Sequence, residues 1–209
     1  MTPHSGMLSR NEACFFARVS TLVLDRAIHD EVIKTVKASE GKGAQTFLPD
    51  TSVAILVILE GVKRAGIEIA PAWKQRLSHD LDEQLANWSS MASRSFETWM
   101  IKVSLSPTVV IQADTEALEA LSRARGYVEG RAAWIDSNPG IFGGEPVISG
   151  TRITAASVKA RLEGGDTLDV LVEDYPEIPR VAFEIADAYA RTHPRRGRPV
   201  KPWRDDRAA

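Results

Sequence analysis

The sequence predicts a mainly α-helical fold with small β elements, of the α+β type. Capping residues and apolar spacings of three and four indicate helices along most of the chain, whereas β-branched residues concentrate in 96–114 and glycines in 138–165. A length of 209 residues with 44% hydrophobic and 26% charged residues is typical of a globular protein. Four parts are expected: a helix-turn-helix domain (1–95), a β-hairpin with a connecting helix (96–133), a three-helix domain preceded by a short strand pair (134–192) and a basic tail (193–209).

The N-terminal segment has the pattern of two short helices joined by a tight turn. Ser9 and Glu12 are spaced as a capping box, in which a hydroxyl and a carboxylate each accept a backbone N–H at a helix start. A helix should run from there to about Ala17. Residues 18–20 are then long enough for a turn and no more.

The second helix has an apolar side and a polar side. Leu24, Ala27 and Ile28 share one face, and Ser20 or Thr21 can cap the helix start. In a helix-turn-helix the start of the second helix meets base edges in the major groove, where Arg26 can contact guanine bidentately. The alternative is an ordinary helical hairpin that touches no DNA. The candidate DNA-contacting residues are Ser20, Thr21, Leu22, Asp25, Arg26 and His29.

The next segment predicts a loop and two supporting helices. Residues 37–45 are polar and contain glycine, so they should form a loop. Asp50 can cap an apolar helix that ends at Gly66, and Pro71 suits the first turn of the following helix. Both helices should support the N-terminal pair.

A β-hairpin and a helix are expected next. The stretch 96–114 reads as two strands with a turn at Ser106 and Pro107. Thr115 should open a helix that Gly126 ends.

The glycine-rich stretch predicts a strand pair on three helices. Strand-like runs at 132–137 and 146–153 are separated by a reversal that needs positive φ, which glycine tolerates. Thr154 and Thr167 can cap two helices, with Gly164 and Gly165 supplying a left-handed exit between them. A last helix should run from about residue 179 to 191.

This stretch resembles a known family. The run "NPGIFGGEPVISGTRITAASVKARLEGGDTLDVLVEDYPEI" is similar to the domain-of-unknown-function family 433, whose pattern includes Gly-x-Pro-Val-Ile, Gly-Thr-Arg-Ile and a closing Tyr-Pro. These elements stand at Gly144, 146–148, 150–153 and 175–176. The departure is Asn138 where the family more often has Asp. The resemblance covers 134–190.

Together with the N-terminal helix pair, the architecture resembles VapB-type antitoxins. That resemblance implies a type II toxin-antitoxin system in which the protein neutralises a PIN-like nuclease encoded nearby and represses its own operon. The partners are then operator DNA, the toxin and a second copy, because operators usually present paired half-sites. The alternative is a DNA-binding regulator or scaffold with no toxin partner.

Charge is unevenly distributed despite a net charge of −2. Residues 134–190 carry ten acids and four bases, and an exposed acidic face on the last two helices would repel phosphates. We expect that face to include Asp169, Glu173, Asp174, Glu177, Glu184 and Asp187. The domain is therefore assigned to dimerisation or to a protein partner. The candidate partner-binding residues are Arg152, Glu173, Asp174, Tyr175 and Glu184.

The tail is basic. Residues 196–199, Arg-Gly-Arg-Pro, form the core of an AT-hook, which lies in narrow A·T minor grooves. Two alternatives remain: a solvated tail with no partner, or arginines that pair with the carboxylates of the nuclease metal site. The candidate DNA contacts here are Arg195, Arg196, Arg198 and Lys201.

Other classes of function lack their residues. Cys14 is the only cysteine and should be buried, and no apolar run is long enough to span a bilayer. No secretory signal begins the chain, so a cytoplasmic protein without membrane association is expected. The four histidines are scattered and no nucleophile has a base beside it, so we expect no enzyme activity, no cofactor and no metal.

Overall fold

The computed structural model describes residues 6–38, 45–86, 101–106, 109–113, 115–138, 140 and 142–194. The mainly helical fold with small antiparallel sheets is confirmed: the described residues form eight α-helices and seven short strands. The tail contacts predicted at Arg195, Arg196, Arg198 and Lys201 lie outside the described residues.

The two N-terminal helices form where the sequence predicts them. Helix α1 (Arg10–Ala17) begins with the predicted capping box, since Ser9 and Glu12 bond each other's backbone N–H. Helix α2 (Thr21–His29) follows after three residues and buries Leu24 and Ala27. Cys14 is buried in α1, as expected.

A three-stranded sheet that the sequence did not predict flanks these helices. Strand β1 (Leu8–Ser9) and strand β2 (Val36–Lys37) both pair antiparallel with β3 (Thr46–Leu48). The loop predicted over 37–45 therefore begins and ends in strand pairing. With two or three residues each, these strands are too short to show alternation.

Helix α3 (Thr51–Arg64) contacts both N-terminal helices, as predicted, and its first half is deeply buried. All its residues from Thr51 to Ile58 are buried. Asp50 accepts a hydrogen bond from the Thr51 N–H, and Gly66 has the positive φ of a left-handed exit, as predicted. Helix α4 (Pro71–Ala86) packs beside α3 and begins at the predicted proline.

The predicted hairpin is present as β4 (Ile101–Ser106) and β5 (Val109–Ala113), which pair antiparallel. Helix α5 (Thr115–Trp134) is longer than predicted. The predicted end at Gly126 is wrong, and so is the strand predicted at 132–134, which belongs to α5. A glycine in a helix interior costs only about 1 kcal/mol, which packing of the helix easily outweighs.

The two glycines inside α5 should respond differently to alanine. A Cβ at Gly126 would meet no atom within 4 Å, whereas a Cβ at Gly130 would lie 2.7 Å from Ile185 Cδ1. Gly126→Ala is expected to raise the free energy of unfolding by about 0.5–1 kcal/mol. Gly130→Ala should gain less or lose stability, because Ile185 must move. Urea denaturation of both variants measures this, and equal gains would contradict it.

The C-terminal strands and helices follow the predicted order. Strand β6 (Ile135–Asp136) pairs antiparallel with β7 (Val147–Ile148) across a 3-10 turn at Phe142–Gly144. Helices α6 (Ala155–Glu163), α7 (Leu168–Asp174) and α8 (Arg180–Thr192) follow, and Thr154 and Thr167 cap the first two as predicted. Of the two glycines after α6, only Gly165 has positive φ. Gly164 stays helical.

Two apolar clusters make up the core. The larger joins buried residues of α1 to α5, and the smaller joins β7 with α6, α7 and α8. Ile185 of α8 belongs to the larger cluster, and Trp134, Ile135 and Tyr189 pack against both. Helix α8 therefore connects the C-terminal helices to α5 and α1.

Candidate functional site

A tight turn fixes where α2 begins. Arg18 adopts the left-handed conformation (φ 53°, ψ 39°), so its N–H donates to the Phe15 carbonyl at 3.3 Å and the Val19 N–H donates to the Cys14 carbonyl at 3.1 Å. This satisfies carbonyls at the end of α1. The chain then extends at Ser20 (φ −75°, ψ 157°), and α2 starts at once.

The predicted polar side of α2 is exposed. Leu22 is 76% exposed, so the only apolar residue among the candidates faces solvent. Ser20 occupies the N-cap position, but its hydroxyl makes no cap hydrogen bond. All six candidates are exposed: Ser20, Thr21, Leu22, Asp25, Arg26 and His29.

Some charged side chains on this surface form ion pairs and others do not. Arg10 forms an ion pair with Asp25, which offsets the one carboxylate among the candidates. Arg18, Arg26 and His29 form no ion pair within the described part of the chain. Sequence reasoning missed Arg10 and Arg18, because a pair 15 positions apart and a left-handed arginine leave no local signal.

The acidic residues of the C-terminal helices are mostly paired with arginine. Arg161 of α6 donates to Asp166 and to Asp174, each at 2.6 Å. These hydrogen bonds, that to Asp174 most strongly, raise the pKa of Arg161. One guanidinium thus holds the end of α6, the following turn and the end of α7 together.

Arg180 and Arg191 neutralise further carboxylates. Arg180 bonds Asp169 and, at 3.2 Å, Glu184. Arg191 bonds both oxygens of Asp187 at 2.8 and 2.9 Å. The prediction of an exposed acidic face is therefore corrected in two ways: Asp187 is half-buried, and most of the predicted carboxylates are charge-paired.

The predicted partner-binding residues do not form one cluster of contacts. Glu173 is exposed and forms no ion pair with any described residue, whereas Asp174 is held by Arg161 and Glu184 by Arg180. Tyr175 is half-buried and packs against the smaller apolar cluster, 6.3 Å from the Phe183 ring. Arg152 is exposed in the turn between β7 and α6.

A buried polar cluster joins α1 to α5. Glu12 is fully buried, and besides the Ser9 N–H at 2.6 Å it accepts hydrogen bonds from the Tyr127 hydroxyl at 2.6 Å and from Arg131. Arg131 also donates to the Met7 carbonyl at 2.9 Å. A residue predicted only as a helix cap is therefore the centre of a charged network.

Contacts at the end of α8 extend this network. The Asn11 side chain donates to the Thr192 carbonyl at 3.2 Å, and His193 Nε2 lies 3.9 Å from Glu12 Oε1. The His193 ring stacks on Tyr189 with centroids 4.1 Å apart. The C-terminal helix thus ends against the start of α1.

The network determines the ionisation of Glu12. Burial alone would raise the pKa of this carboxyl, but the Arg131 charge and the hydrogen bonds from Tyr127, Ser9 and Arg131 outweigh it, so the pKa lies below the ordinary 4.5. Burial, followed by the Glu12 charge, raises the pKa of Tyr127. The cluster therefore contains carboxylate, phenol and guanidinium at neutral pH.

The Glu12 network should stabilise the fold less at acidic pH than at neutral pH. Because folding lowers the Glu12 pKa, its contribution is fully present above about pH 4.5 and is lost as pH falls through the folded value. The stability difference between the wild type and Glu12→Gln should therefore shrink between pH 6 and pH 3, roughly the range over which a salt-bridged carboxylate titrates. Urea denaturation across that range measures it. A constant difference would contradict the ionised state.

The part of the chain that the structure describes contains neither a metal-binding cluster nor a membrane-spanning helix. Its histidine, cysteine and acidic side chains form no group of three or more that could hold a metal ion. None of its helices is both long and apolar enough to cross a membrane.

Comparison with known proteins gives similarities of three kinds. The chain is 25% identical to the "Uncharacterized protein y4eO" of Sinorhizobium fredii over 199 residues, which cover 92% of this chain and 84% of the relative. The crystal structure of Rv2018 from Mycobacterium tuberculosis aligns with 87% of this chain and 96% of its own, at 16% identity and a TM-score of 0.36. The third similarity is to a family model described as "Protein of unknown function (DUF433)", which matches residues 135–190. The C-terminal part of the chain thus matches DUF433, which confirms the resemblance predicted for it from the sequence.

Proposed function

We propose that this protein is a DNA-binding antitoxin of a type II toxin-antitoxin system, which neutralises a PIN-like nuclease and represses its own operon as a homodimer. One observation carries the DNA-binding part. The start of α2 offers the hydroxyls of Ser20 and Thr21 and the guanidinium of Arg26 to solvent, while Leu24 and Ala27 hold the helix in the core.

The chemistry of this face suits a DNA duplex. Hydroxyls and backbone N–H groups at a helix start bind phosphates, and an arginine further along the helix can bond guanine bidentately. Leu22 offers an apolar contact of the kind that thymine methyl groups accept. The Arg10–Asp25 pair removes the repulsion that an unpaired carboxylate would exert on phosphate.

The toxin-binding part rests on the resemblance and on the C-terminal helices. Glu173 and Glu177 are exposed and form no ion pair with the described residues, and Val170 and Val181 are 37% and 44% exposed. Exposed apolar side chains rimmed by polar residues are one feature of protein-interaction sites. We assign the toxin contact to α7 and the start of α8.

Arg26→Ala is expected to weaken binding to the DNA upstream of the gene by about 1–3 kcal/mol, roughly 5- to 150-fold, because a bidentate base contact is lost. A gel shift titration at fixed salt measures this. Arg123→Ala is the matched control, since Arg123 is an exposed arginine on α5 paired with Glu119. Equal affinities of both variants and the wild type would contradict the assignment of α2.

Co-purification of the full chain with the product of the neighbouring gene tests the toxin part. A stable complex whose nuclease activity is suppressed supports the antitoxin. Specific DNA binding without such a complex would instead support a transcriptional regulator or scaffold.

A further inference from the structure

A pocket of about 410 Å³ lies beneath α2, between that helix, the end of α3 and the start of α4. Its volume is within the range of about 300–1,000 Å³ that is usual for small-molecule sites. Its apolar lining comes from Val23, Ala27, Val32, Leu59, Val62 and Ile69. Arg26 also lines the pocket.

Among the charged residues that line this pocket, one cation and one anion have no ion-pair partner among the described residues. Lys74 lies 4.0 Å from Asp30, and Lys63 lies 4.0 Å from Glu60. Arg26 on α2 and Glu68 on the α3–α4 loop also line the pocket, and neither forms an ion pair with a described residue. The pocket therefore combines an apolar floor with two uncompensated charges of opposite sign.

Glu60 adds an unused hydrogen-bond acceptor. Its Oε2 atom is buried and accepts no hydrogen bond from any described residue, and the Lys63 ammonium at 4.0 Å is beyond hydrogen-bond distance. Leaving a buried carboxylate oxygen without a donor is costly. Because Glu60 lines the pocket, rotation of its carboxylate towards the pocket would let the charged N–H donor of a ligand bond this oxygen and remove that cost.

We infer that this pocket binds a small zwitterion with an apolar body, the chemistry of a free apolar α-amino acid. The ammonium donates to Glu60 and faces Glu68, the carboxylate pairs with Arg26, and the side chain packs on the apolar floor. The ligand thus meets both unpaired charges of the pocket and the Glu60 carboxylate at once.

Calorimetric titration of the full chain without DNA tests the inference. L-leucine and L-phenylalanine are the probes, and 4-methylpentanoate, 3-methylbutylamine and glycine each lack one of the three recognised features. The two amino acids should bind in the millimolar range or tighter, and each deleted probe at least about tenfold more weakly, which is 1.4 kcal/mol. The inference is overturned if neither amino acid binds, or if 4-methylpentanoate binds as tightly as leucine.

Two variants locate the site. Glu60→Gln keeps the size of the side chain but removes its charge, so leucine binding should weaken about tenfold or more. Glu68→Gln should weaken it less, because Glu68 is exposed. Glu119→Gln on α5 is the control and should bind leucine like the wild type. Unchanged binding in both pocket variants would place the ligand elsewhere and overturn the inference.

A consequence for DNA rests on the proposed function. If Arg26 contacts a base, a bound carboxylate competes for it, and leucine should weaken the gel shift of the wild type. Ligand binding is measured without DNA, so the experiment can contradict the amino-acid site without contradicting DNA binding, and the reverse. Leucine binding in a protein that binds no DNA would refute the repressor and leave the pocket assignment standing.

Discussion

Glu12→Ala is expected to lower the free energy of unfolding by about 3–5 kcal/mol, the usual cost of removing one partner from a buried ion pair. Glu12 is fully buried, and its loss removes the carboxylate to which the Tyr127 hydroxyl and the Arg131 guanidinium donate. The Ser9 N–H at the start of α1 loses its bond too. Urea denaturation followed by circular dichroism measures the change.

The control for this variant is Glu119→Ala on the same α5 helix that supplies Tyr127 and Arg131. Among the described residues Glu119 pairs with Arg123, at 3.6 Å across an exposed helix face, so its removal should cost no more than about 0.5 kcal/mol. Tyr127→Phe combined with Glu12→Ala should cost less than the sum of the single changes. Additive losses, or a Glu12 variant as stable as the control, would contradict the network.

Local sequence signals predicted helix starts well and long-range polar contacts not at all. The capping box at Ser9 and Glu12 could be predicted because its two members lie three positions apart in the sequence. The bonds from Tyr127 and Arg131 to the same carboxylate span 115 and 119 positions, and no local pattern encodes such a distance. The exposed side of α2 was predictable from apolar spacing, whereas the Arg10–Asp25 pair on it was not.

Helix ends were also predicted poorly from the sequence, because they too depend on contacts between distant residues. Gly126 has the residue type of a helix end, yet α5 continues to Trp134 because its buried residues pack on α3, α1 and α8. Gly165, by contrast, does follow the end of a helix, where it adopts the positive φ that glycine tolerates. Which glycine ends a helix is thus decided by tertiary contacts that residue type does not report.

The position of α8 bears on the basic tail. The Asn11 side chain of α1 donates a hydrogen bond to the Thr192 carbonyl, and His193 lies near Glu12. Pro194, the next residue, is therefore beside the N-terminal helices and lies close to the unit to which we assign DNA binding. A tail and a helix that bind one duplex together need such proximity, because a linked second contact acts at high effective concentration.

Changing Arg196 and Arg198 together to alanine is therefore expected to weaken binding to A·T-rich duplex on the order of 100-fold at low salt, since two arginine contacts are lost. The slope of log affinity against log salt should fall by about 0.9 for each lost phosphate contact. Gel shifts at several salt concentrations measure both quantities, and Arg76→Ala with Arg123→Ala removes the same charge from exposed helix faces as a control. Loss of nuclease inhibition with DNA binding intact would instead assign these arginines to the toxin metal site. Loss of neither would leave a solvated tail, and then α2 alone would have to account for the salt dependence.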